Sequence, residues 1–213
     1  LANTPEACGD INLWDTQNVT DMSKLFESFI SFNCDISDWD TSAVTTMADM
    51  FSNTTTFNGD ISSWDVSNVT NMHGMFRSKK TFNGDISSWD VSNVTDMGQM
   101  FWSAYLFNGD ISSWDVSQVT YMEGMFTYTA FNGDISSWDV SQVTNMKNMF
   151  RDTPLNGDIS SWDVSNVTKM YGMFSWARSF NQDLSSWDVS NVTWSTDYDD
   201  ETDEWQTVNK PRF

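Results

Sequence analysis

Two sets of aspartates recur along the whole chain, and their type and spacing make them the residues best suited to chemistry. Members of the first set precede an aliphatic residue, as Asp60 precedes Ile61, and members of the second set follow a tryptophan, as Asp65 follows Trp64. Aspartate after Asn-Gly is typical of a turn in which the carboxylate accepts backbone N–H groups. We favour this role over metal binding for the first set, which comprises Asp10, Asp35, Asp60, Asp85, Asp110, Asp134, Asp158 and Asp183.

The second set leaves cation binding open. Stacked copies would place its carboxylates about 5 Å apart, where two unit charges repel each other by about 0.8 kcal/mol in water. Hydration, hydrogen bonds or cations must offset that repulsion. Calcium prefers six to eight oxygen ligands, and one aspartate per copy beside serines supplies few of them. We therefore expect no cofactor, with calcium as the less favoured alternative at Asp40, Asp65, Asp90, Asp115, Asp139 and Asp163.

The sequence contains no arrangement that is typical of catalysis. His73 is the single histidine, and other copies fill its position with residues as different as Gly98, Glu123, Lys147 and Tyr171. Carboxylates recur equally in every copy, whereas an active site is normally a singular arrangement of groups with distinct pKa values. We therefore expect that the protein is not an enzyme.

Aromatic and basic residues vary from copy to copy after the methionines, and this pattern favours partner binding. Exposed Trp, Tyr and Arg are the residue types that most often dominate protein interfaces. We expect a partner-binding face that consists of Arg77, Lys79, Lys80, Trp102, Tyr105, Tyr121, Tyr128, Trp176 and Arg178.

A repeated unit must position all of these residues. Its tryptophans are spaced by 25 residues, with two intervals of 24, and stand at Trp14, Trp39, Trp64, Trp89, Trp114, Trp138, Trp162 and Trp187. A fixed period in this range predicts a solenoid whose copies stack in register. We expect one repeat domain over residues 1–193, with 1–26 as the N-terminal cap and first copy, and residues 194–213 as an acidic C-terminal cap or a disordered tail. Trp194, Tyr198 and Trp205 are the residues that would fold back to form such a cap.

Each unit combines two apolar patterns. The spacing of Ile61, Trp64 and Val66 predicts a short strand, whereas Met97, Met100 and Phe101, at i, i+3 and i+4, predict a short helix or 3₁₀ turn. The methionine and phenylalanine rows and all eight tryptophans are expected in the core. The predicted fold is a leucine-rich-repeat-like α/β solenoid of eight coils, with a parallel sheet on one side and short helices or 3₁₀ turns on the other.

Two covalent modifications are indicated by the sequence. Cys8 and Cys34 occupy nearly equivalent points of the first two copies, so stacking at about 4.8 Å would bring them within disulfide reach. A disulfide, which we favour over two free thiols, fits an oxidising compartment. Asn53 and Asn18 stand in Asn-x-Ser/Thr motifs and are candidates for glycosylation.

The charge of the chain limits its partners. Ten Lys and Arg residues stand against 30 Asp and Glu residues, giving a net charge of −20. Nucleic acid and anionic membrane surfaces would be repelled, and no apolar run reaches the roughly 18 residues that a membrane span needs.

The unit from Phe57 to Phe76, Phe-Asn-Gly-Asp-Ile-Ser-Ser-Trp-Asp-Val-Ser-Asn-Val-Thr-x-Met-x-x-Met-Phe, closely resembles the repeat of BspA-like surface proteins. The resemblance covers about Asp10 to Val192 and implies a leucine-rich-repeat-like solenoid, a secreted or surface location, and adhesion or protein binding. We expect a non-catalytic binding or scaffold module outside the cell or in an organelle lumen, with a protein or glycan partner. The alternatives are a structural subunit of a larger assembly or filament, and a cation-binding acidic solenoid.

Overall fold

Successive copies of the unit lie on one another in register. The structure is a computed structural model that describes residues 8–202 and 205–213. Seven parallel bridges join equivalent residues of neighbouring copies, from the pair Asp21 and Thr46 to the pair Lys169 and Trp194. The predicted repeat fold is confirmed. Each copy is called a coil below and is named by its tryptophan.

The bridges belong to a ladder of hydrogen bonds in the second half of each coil, which we call the ladder half. In the Trp64 coil, the backbone N–H groups of Met72, Gly74 and Phe76 donate to carbonyl oxygens of the next coil at 2.8–2.9 Å. Between them, the N–H of Met75 closes a turn on the carbonyl of Met72. The backbone therefore alternates between bonds to the next coil and bonds within its own coil.

In the described residues, the ladder half forms neither the short helix nor the 3₁₀ turn that was predicted for it, and this part of the prediction is wrong. An α-helix needs each N–H to bond four residues back, but here alternate N–H groups bond to the neighbouring coil. The backbone is also left-handed twice per coil, at Gly74 (φ 61°) and Ser78 (φ 57°) in the Trp64 coil, which a right-handed helix does not allow. The spacing of the methionines and phenylalanine marks the residues that face the core, since Met72, Met75 and Phe76 are fully buried.

The first half of each coil contains turns in place of the predicted strand. The N–H of Trp64 donates to the carbonyl of Ile61 at 3.2 Å, and the N–H of Val69 donates to that of Val66 at 2.9 Å. In the part of the chain that the structure describes, the regular elements are two 3₁₀ helices, Ile11–Leu13 and Thr207–Asn209. The predicted α/β content is therefore wrong, although the apolar residues of this half are buried as expected.

Side chains of one type form rows through the core. The rings of Phe51, Phe76 and Phe101 lie nearly parallel, with centroids 5.7–5.9 Å apart. The seven repeat tryptophans that follow Trp14 each donate the indole N–H to the isoleucine carbonyl of the preceding coil. Trp14, in the first coil, is 61% exposed, so the expectation that all eight tryptophans are internal is wrong for this residue.

The first two coils are joined covalently. Cys8 and Cys34 form a disulfide with their Cα atoms 5.6 Å apart, at the position where the register of the repeat brings equivalent residues together. Cys34 is buried against the core cluster. The first coil is therefore tied to the second by a bond that does not depend on packing.

The ladder extends beyond the domain boundary expected at residue 193. The N–H groups of Met170 and Phe174 donate to the carbonyls of Trp194 and Tyr198 at 2.9 and 2.8 Å. Tyr198 occupies a core position and is 4% exposed, whereas Trp194 is 47% exposed. Residues 194–201 are therefore the ladder half of the last coil.

The C-terminal segment then crosses the end of the stack. Trp205 is 4% exposed, and its ring packs edge-on against Phe174 and Phe180, with centroids 5.2 and 4.9 Å away. The carbonyl of Asn209 accepts the N–H of Leu184 at 2.8 Å. This segment therefore lies against the core residues of the last coil. Within the described ranges, no helix has the length and apolar composition needed to cross a membrane.

Candidate partner-binding surface

The outward side chains at the start of the ladder half differ from coil to coil. We call the positions equivalent to Asn71 and His73 the ladder face. Its first row holds Asp21, Thr46, Asn71, Asp96, Tyr121, Asn145, Lys169 and Trp194, and its second row holds Ser23, Ala48, His73, Gly98, Glu123, Lys147, Tyr171 and Thr196. A variable surface on a regular stack is the part of a repeat protein that can select a partner.

A polar network centred on Glu123 occupies the middle of the ladder face. Its carboxylate accepts hydrogen bonds from the Tyr121 hydroxyl at 2.7 Å, from the Asn145 amide at 3.1 Å and from the Lys147 ammonium at 3.1 Å. Tyr121 belongs to the same coil as Glu123, whereas Asn145 and Lys147 belong to the next one. The network therefore orders the side chains of two adjacent coils.

The network fixes a pair of opposite charges beside an aromatic ring. Burial and the bond to Glu123 raise the pKa of the Tyr121 hydroxyl. Burial by itself raises the pKa of Glu123, but the hydrogen bonds from Tyr121 and Lys147 outweigh it, so the net pKa is lowered. The side chains of Glu123 and Lys147 are 17% and 27% exposed, so solvent screens them only in part. Such an arrangement suits electrostatic recognition of a partner.

His73 belongs to the same face, although the sequence indicated an ordinary variable residue. Its Nδ1 lies 3.3 Å from Oδ1 of Asp96, and its ring lies 6.2 Å from that of Tyr121. The hydrogen bond with Asp96 raises the pKa of His73 above its ordinary value, although burial opposes the shift. Sequence reasoning selected Tyr121 but missed His73, Asp96 and Glu123. The signal it did not use is that groups able to carry opposite charge stand about one repeat apart, 24 residues for Glu123 and Lys147 and 23 for His73 and Asp96.

Most of the other predicted partner-face residues lie later in the ladder half, and we call them the edge residues. They are Arg77, Lys80, Trp102, Tyr105, Tyr128, Trp176 and Arg178. The structure brings two pairs of them together. The ring of Tyr128 lies edge-on to that of Trp102 at 6.4 Å, and the Arg178 guanidinium lies 5.1 Å from the centroid of the Trp176 ring. Tyr105 is 50% exposed and Trp176 38%.

Lys79 was predicted on the partner face, and this prediction is wrong. The side chain is fully buried, and its ammonium donates hydrogen bonds to the carbonyls of Thr54 and Phe57. It also lies 5.2 and 5.8 Å from the ring centroids of Phe57 and Phe82. Burial lowers the pKa of Lys79 to about 7. The position faces the core in the neighbouring coils too, where Thr54 and Ala104 fill it.

Both aspartate sets stabilise turns in the first half of the coil. Oδ1 of Asp60 accepts the N–H of Ser62 at 2.9 Å, and Oδ1 of Asp65 accepts that of Ser67 at 3.0 Å. The bonds from Ser62 hold the pKa of Asp60 below its ordinary value. The same bond to a serine two residues later is made by Asp40, Asp65, Asp90, Asp115, Asp139 and Asp163.

The turn role expected for the first aspartate set therefore extends to the second. Over residues 8–202 and 205–213, no group of three or more acidic, histidine or cysteine side chains lies close enough together to hold a metal ion. The calcium alternative thus has no ligand cluster in this part of the chain. Asn18 and Asn53 are both exposed, and their glycosylation stays a prediction.

Comparison with known proteins identifies a family. No curated protein matches the sequence. A solved structure of a leucine-rich repeat protein from Bacteroides ovatus matches with 10% identity and a TM-score of 0.22, over 75% of this chain and 57% of that protein, a likeness too weak to support an argument. Three overlapping family matches cover residues 2–113, 60–155 and 127–209, so the chain belongs to the family described as "Mycoplasma protein of unknown function, DUF285".

Proposed function

We propose that the chain is a non-catalytic binding module, secreted or at the cell surface, that recognises a protein partner through its ladder half. The observation that carries this proposal is a contrast between the two halves of the coil. The first half repeats the same outward Ser and Asp residues in nearly every coil, whereas the ladder half changes its outward residues from one coil to the next.

The edge residues supply the side chains that protein interfaces use most. Trp, Tyr and Arg dominate binding energies because they bury a large area with few rotatable bonds. Trp102 is already held against Tyr128, and Arg178 against Trp176. Side chains that are ordered before binding lose less conformational entropy when a partner arrives. These two pairs are therefore the expected anchor points.

Two further observations support a location outside the cell. The Cys8–Cys34 disulfide fits an oxidising compartment, because thiols stay reduced in most cytosols. The unit's resemblance to BspA-like surface proteins points the same way. A solenoid of leucine-rich-repeat type would give such a protein the long surface that adhesion requires.

The double variant Trp102→Ala/Tyr105→Ala tests this function. The fluorescently labelled chain is titrated onto intact cells of its own organism, before and after surface proteolysis. We expect the double variant to bind at least about 10-fold more weakly than the wild type, since two hot-spot residues are removed. We also expect proteolysis of the cells to abolish binding of the wild type.

The matched control is Ser63→Ala/Ser88→Ala, which changes two exposed positions of the first half and should leave binding unchanged. Equal binding by the wild type and the Trp102→Ala/Tyr105→Ala variant would count against the edge residues. Binding that survives proteolysis but is lost after periodate oxidation of the cells would replace the protein partner by a glycan.

A further inference from the structure

A row of asparagines runs along the first half of the coils that follow the Trp14 coil. We call it the asparagine row, and it consists of Asn33, Asn58, Asn83, Asn108, Asn132, Asn156 and Asn181. All of these side chains are exposed. Asn33 precedes a cysteine and Asn181 precedes a glutamine, whereas the other five precede a glycine. The row therefore repeats one reactive dipeptide, Asn-Gly, at five equivalent places.

An Asn-Gly dipeptide can modify itself. Once the glycine nitrogen has lost its proton, it can attack Cγ of the asparagine, because the ring that closes has five members and glycine has no Cβ that would block the approach. The new N–Cγ bond gives a succinimide, and the bond from Cγ to Nδ2 breaks, so that the side-chain nitrogen leaves as ammonia. Water then opens the ring at either carbonyl, which gives aspartate or isoaspartate. No oxidant or reductant is needed.

The five sites are nearly alike in their local chemistry. Within the described ranges, no hydrogen bond is donated by the backbone N–H groups of Gly59, Gly84, Gly109, Gly133 and Gly157. Four of the sites share the sequence Phe-Asn-Gly-Asp-Ile, and the fifth has Leu155 in place of the phenylalanine. The local sequence therefore predicts one rate of reaction for all five.

The fold holds most of the asparagine side chains to the next coil. Oδ1 of Asn83 accepts the backbone N–H of Asn108 at 2.9 Å. Oδ1 of Asn108 and Oδ1 of Asn132 accept the equivalent N–H groups at 2.8 and 2.9 Å. Cγ must turn out of this orientation to bond to the glycine nitrogen, so the hydrogen bond slows the reaction.

Asn156 is held by more bonds than these three. Its Oδ1 accepts the backbone N–H of Asn181 and the side-chain amide of Gln182, both at 2.9 Å. The same amide donates to the backbone carbonyl of Asn156 at 2.8 Å. Both the side chain and the main chain of Asn156 are thus fixed to the next coil.

Asn58 is the exception in the row. Its backbone N–H donates to Oδ1 of Asn33 at 3.0 Å. Among the residues that the structure describes, however, none makes a hydrogen bond to the Asn58 side chain. Its Cγ can therefore turn toward the nitrogen of Gly59 without breaking a bond to the next coil.

We infer that Asn58-Gly59 is a site of spontaneous deamidation, with water as the second reactant and aspartate and isoaspartate as the products. Asn83, Asn108 and Asn132 react more slowly, and Asn156 reacts most slowly. Each event adds a carboxylate to a chain that already carries a net charge of −20. The site lies in the first half of the Trp64 coil, apart from the ladder face and the edge residues, so it does not rest on the proposed function.

Peptide mapping of the intact, folded chain tests this order. The protein is incubated at mildly alkaline pH and then cleaved before its aspartates, which places the five sites on separate peptides. Mass spectrometry measures the deamidated fraction of each peptide over time. We expect Asn58 to react about 2–10-fold faster than Asn83, Asn108 and Asn132, a factor that corresponds to breaking one hydrogen bond.

Two controls separate the effect of the fold from that of the local sequence. In urea, where the chain is unfolded, the five sites should react at nearly equal rates. The variant Gln182→Ala removes the amide that holds Asn156. It should raise the rate at Asn156 to that at Asn132 and leave the rate at Asn58 unchanged.

Three outcomes would overturn the inference. Equal rates at the five sites of the folded chain would mean that the hydrogen bonds to Oδ1 have no influence. A slower rate at Asn58 than at Asn83 would mean that an N–H at Oδ1 speeds the reaction by stabilising the negative charge that develops on this oxygen. No reaction at Asn58 in the folded chain, alongside reaction in urea, would mean that the fold protects this site. All three are read from the unaltered protein, so they do not depend on how well a variant folds.

Discussion

A tryptophan stands at each end of the stack, and only the C-terminal one is buried. Trp205 is 4% exposed, and its indole N–H donates to the carbonyl of Gln182 at 2.7 Å. Trp14 is 61% exposed and stacks at 6.4 Å on Trp39. The two ends differ because polypeptide crosses the C-terminal end, whereas a covalent bond secures the N-terminal end. Two side chains of the same type are therefore buried or exposed according to what the rest of the chain packs on them, and not according to residue type.

The largest expected effect comes from removing the C-terminal cap. Trp205→Ala should lower the free energy of unfolding by about 3–5 kcal/mol, as truncation of a large buried aromatic side chain commonly does. The loss arises because the rings of Phe174 and Phe180 would lose their cover. Urea-induced unfolding, followed by circular dichroism, measures it.

The same truncation in the first coil is the control for the comparison. Trp14→Ala should change the free energy of unfolding by less than about 1 kcal/mol, since its side chain is mostly in solvent already. Equal losses of unfolding free energy in Trp14→Ala and Trp205→Ala would mean that the two side chains are buried to the same extent in solution.

The disulfide should have the next largest effect. Cys8 and Cys34 are separated by 26 residues, and a bond that closes a loop of this length contributes about 2–4 kcal/mol to stability. Reduction should therefore destabilise the first two coils, whereas the C-terminal coils contain no cysteine. The measurement is urea-induced unfolding with and without a thiol reductant. Without reductant, the double variant Cys8→Ser/Cys34→Ser should be as stable as the reduced wild-type protein. Adding reductant should not change its stability.

A smaller effect distinguishes the Trp64 coil from the C-terminal coils. Lys79 is buried, whereas the C-terminal coils have Thr129, Thr153 and Ala177 at the same position. Burial lowers the pKa of Lys79 from 10.5 to about 7, so the unfolded chain binds more protons than the folded chain between these pH values. The free energy of unfolding should therefore rise by about 1–3 kcal/mol between pH 7 and pH 10.5. Below pH 7 it should stay at the lower value. The carbonyls and ring faces around the ammonium offset part of the desolvation penalty.

The control for this effect is Lys79→Thr, which copies the residue found in other coils. The variant should be more stable than the wild type near pH 7 and should lose the rise in stability between pH 7 and 10.5. Urea-induced unfolding at a series of pH values measures both. If the free energies of unfolding of the variant and the wild type changed with pH in the same way, the Lys79 ammonium would be solvated. The Trp64 coil would then not differ from the other coils in this respect.

The candidate surface was predictable only in part. The aromatic and arginine residues of the edge could be found because they interrupt a regular unit, as Trp102 and Trp176 do. Glu123 and His73 were not separated from other variable residues, because Lys147 and Asp96, with which they pair, lie 24 and 23 residues away in the next coil. Lys79 was misplaced because a lysine is almost always exposed, and nothing local shows that its position faces the core.

Several features followed from the sequence alone. The spacing of 25 and 24 residues determined that equivalent residues stack in register, which placed Cys8 beside Cys34 and aligned the phenylalanine and methionine rows. Asn-Gly-Asp-x-Ser determined the turns in which the aspartates accept backbone N–H groups, since that chemistry is local to a few residues.

The tertiary structure decided which half of the unit pairs with its neighbour. A spacing such as Met97, Met100 and Phe101 buries the same residues in a helix and in this ladder, so it cannot show whether an N–H bonds within its coil or to the next one. That choice depends on carbonyl groups of a neighbouring coil, as does the burial of Lys79. The covering of the C-terminal end depends likewise on where residues 205–213 lie, and no local pattern shows this.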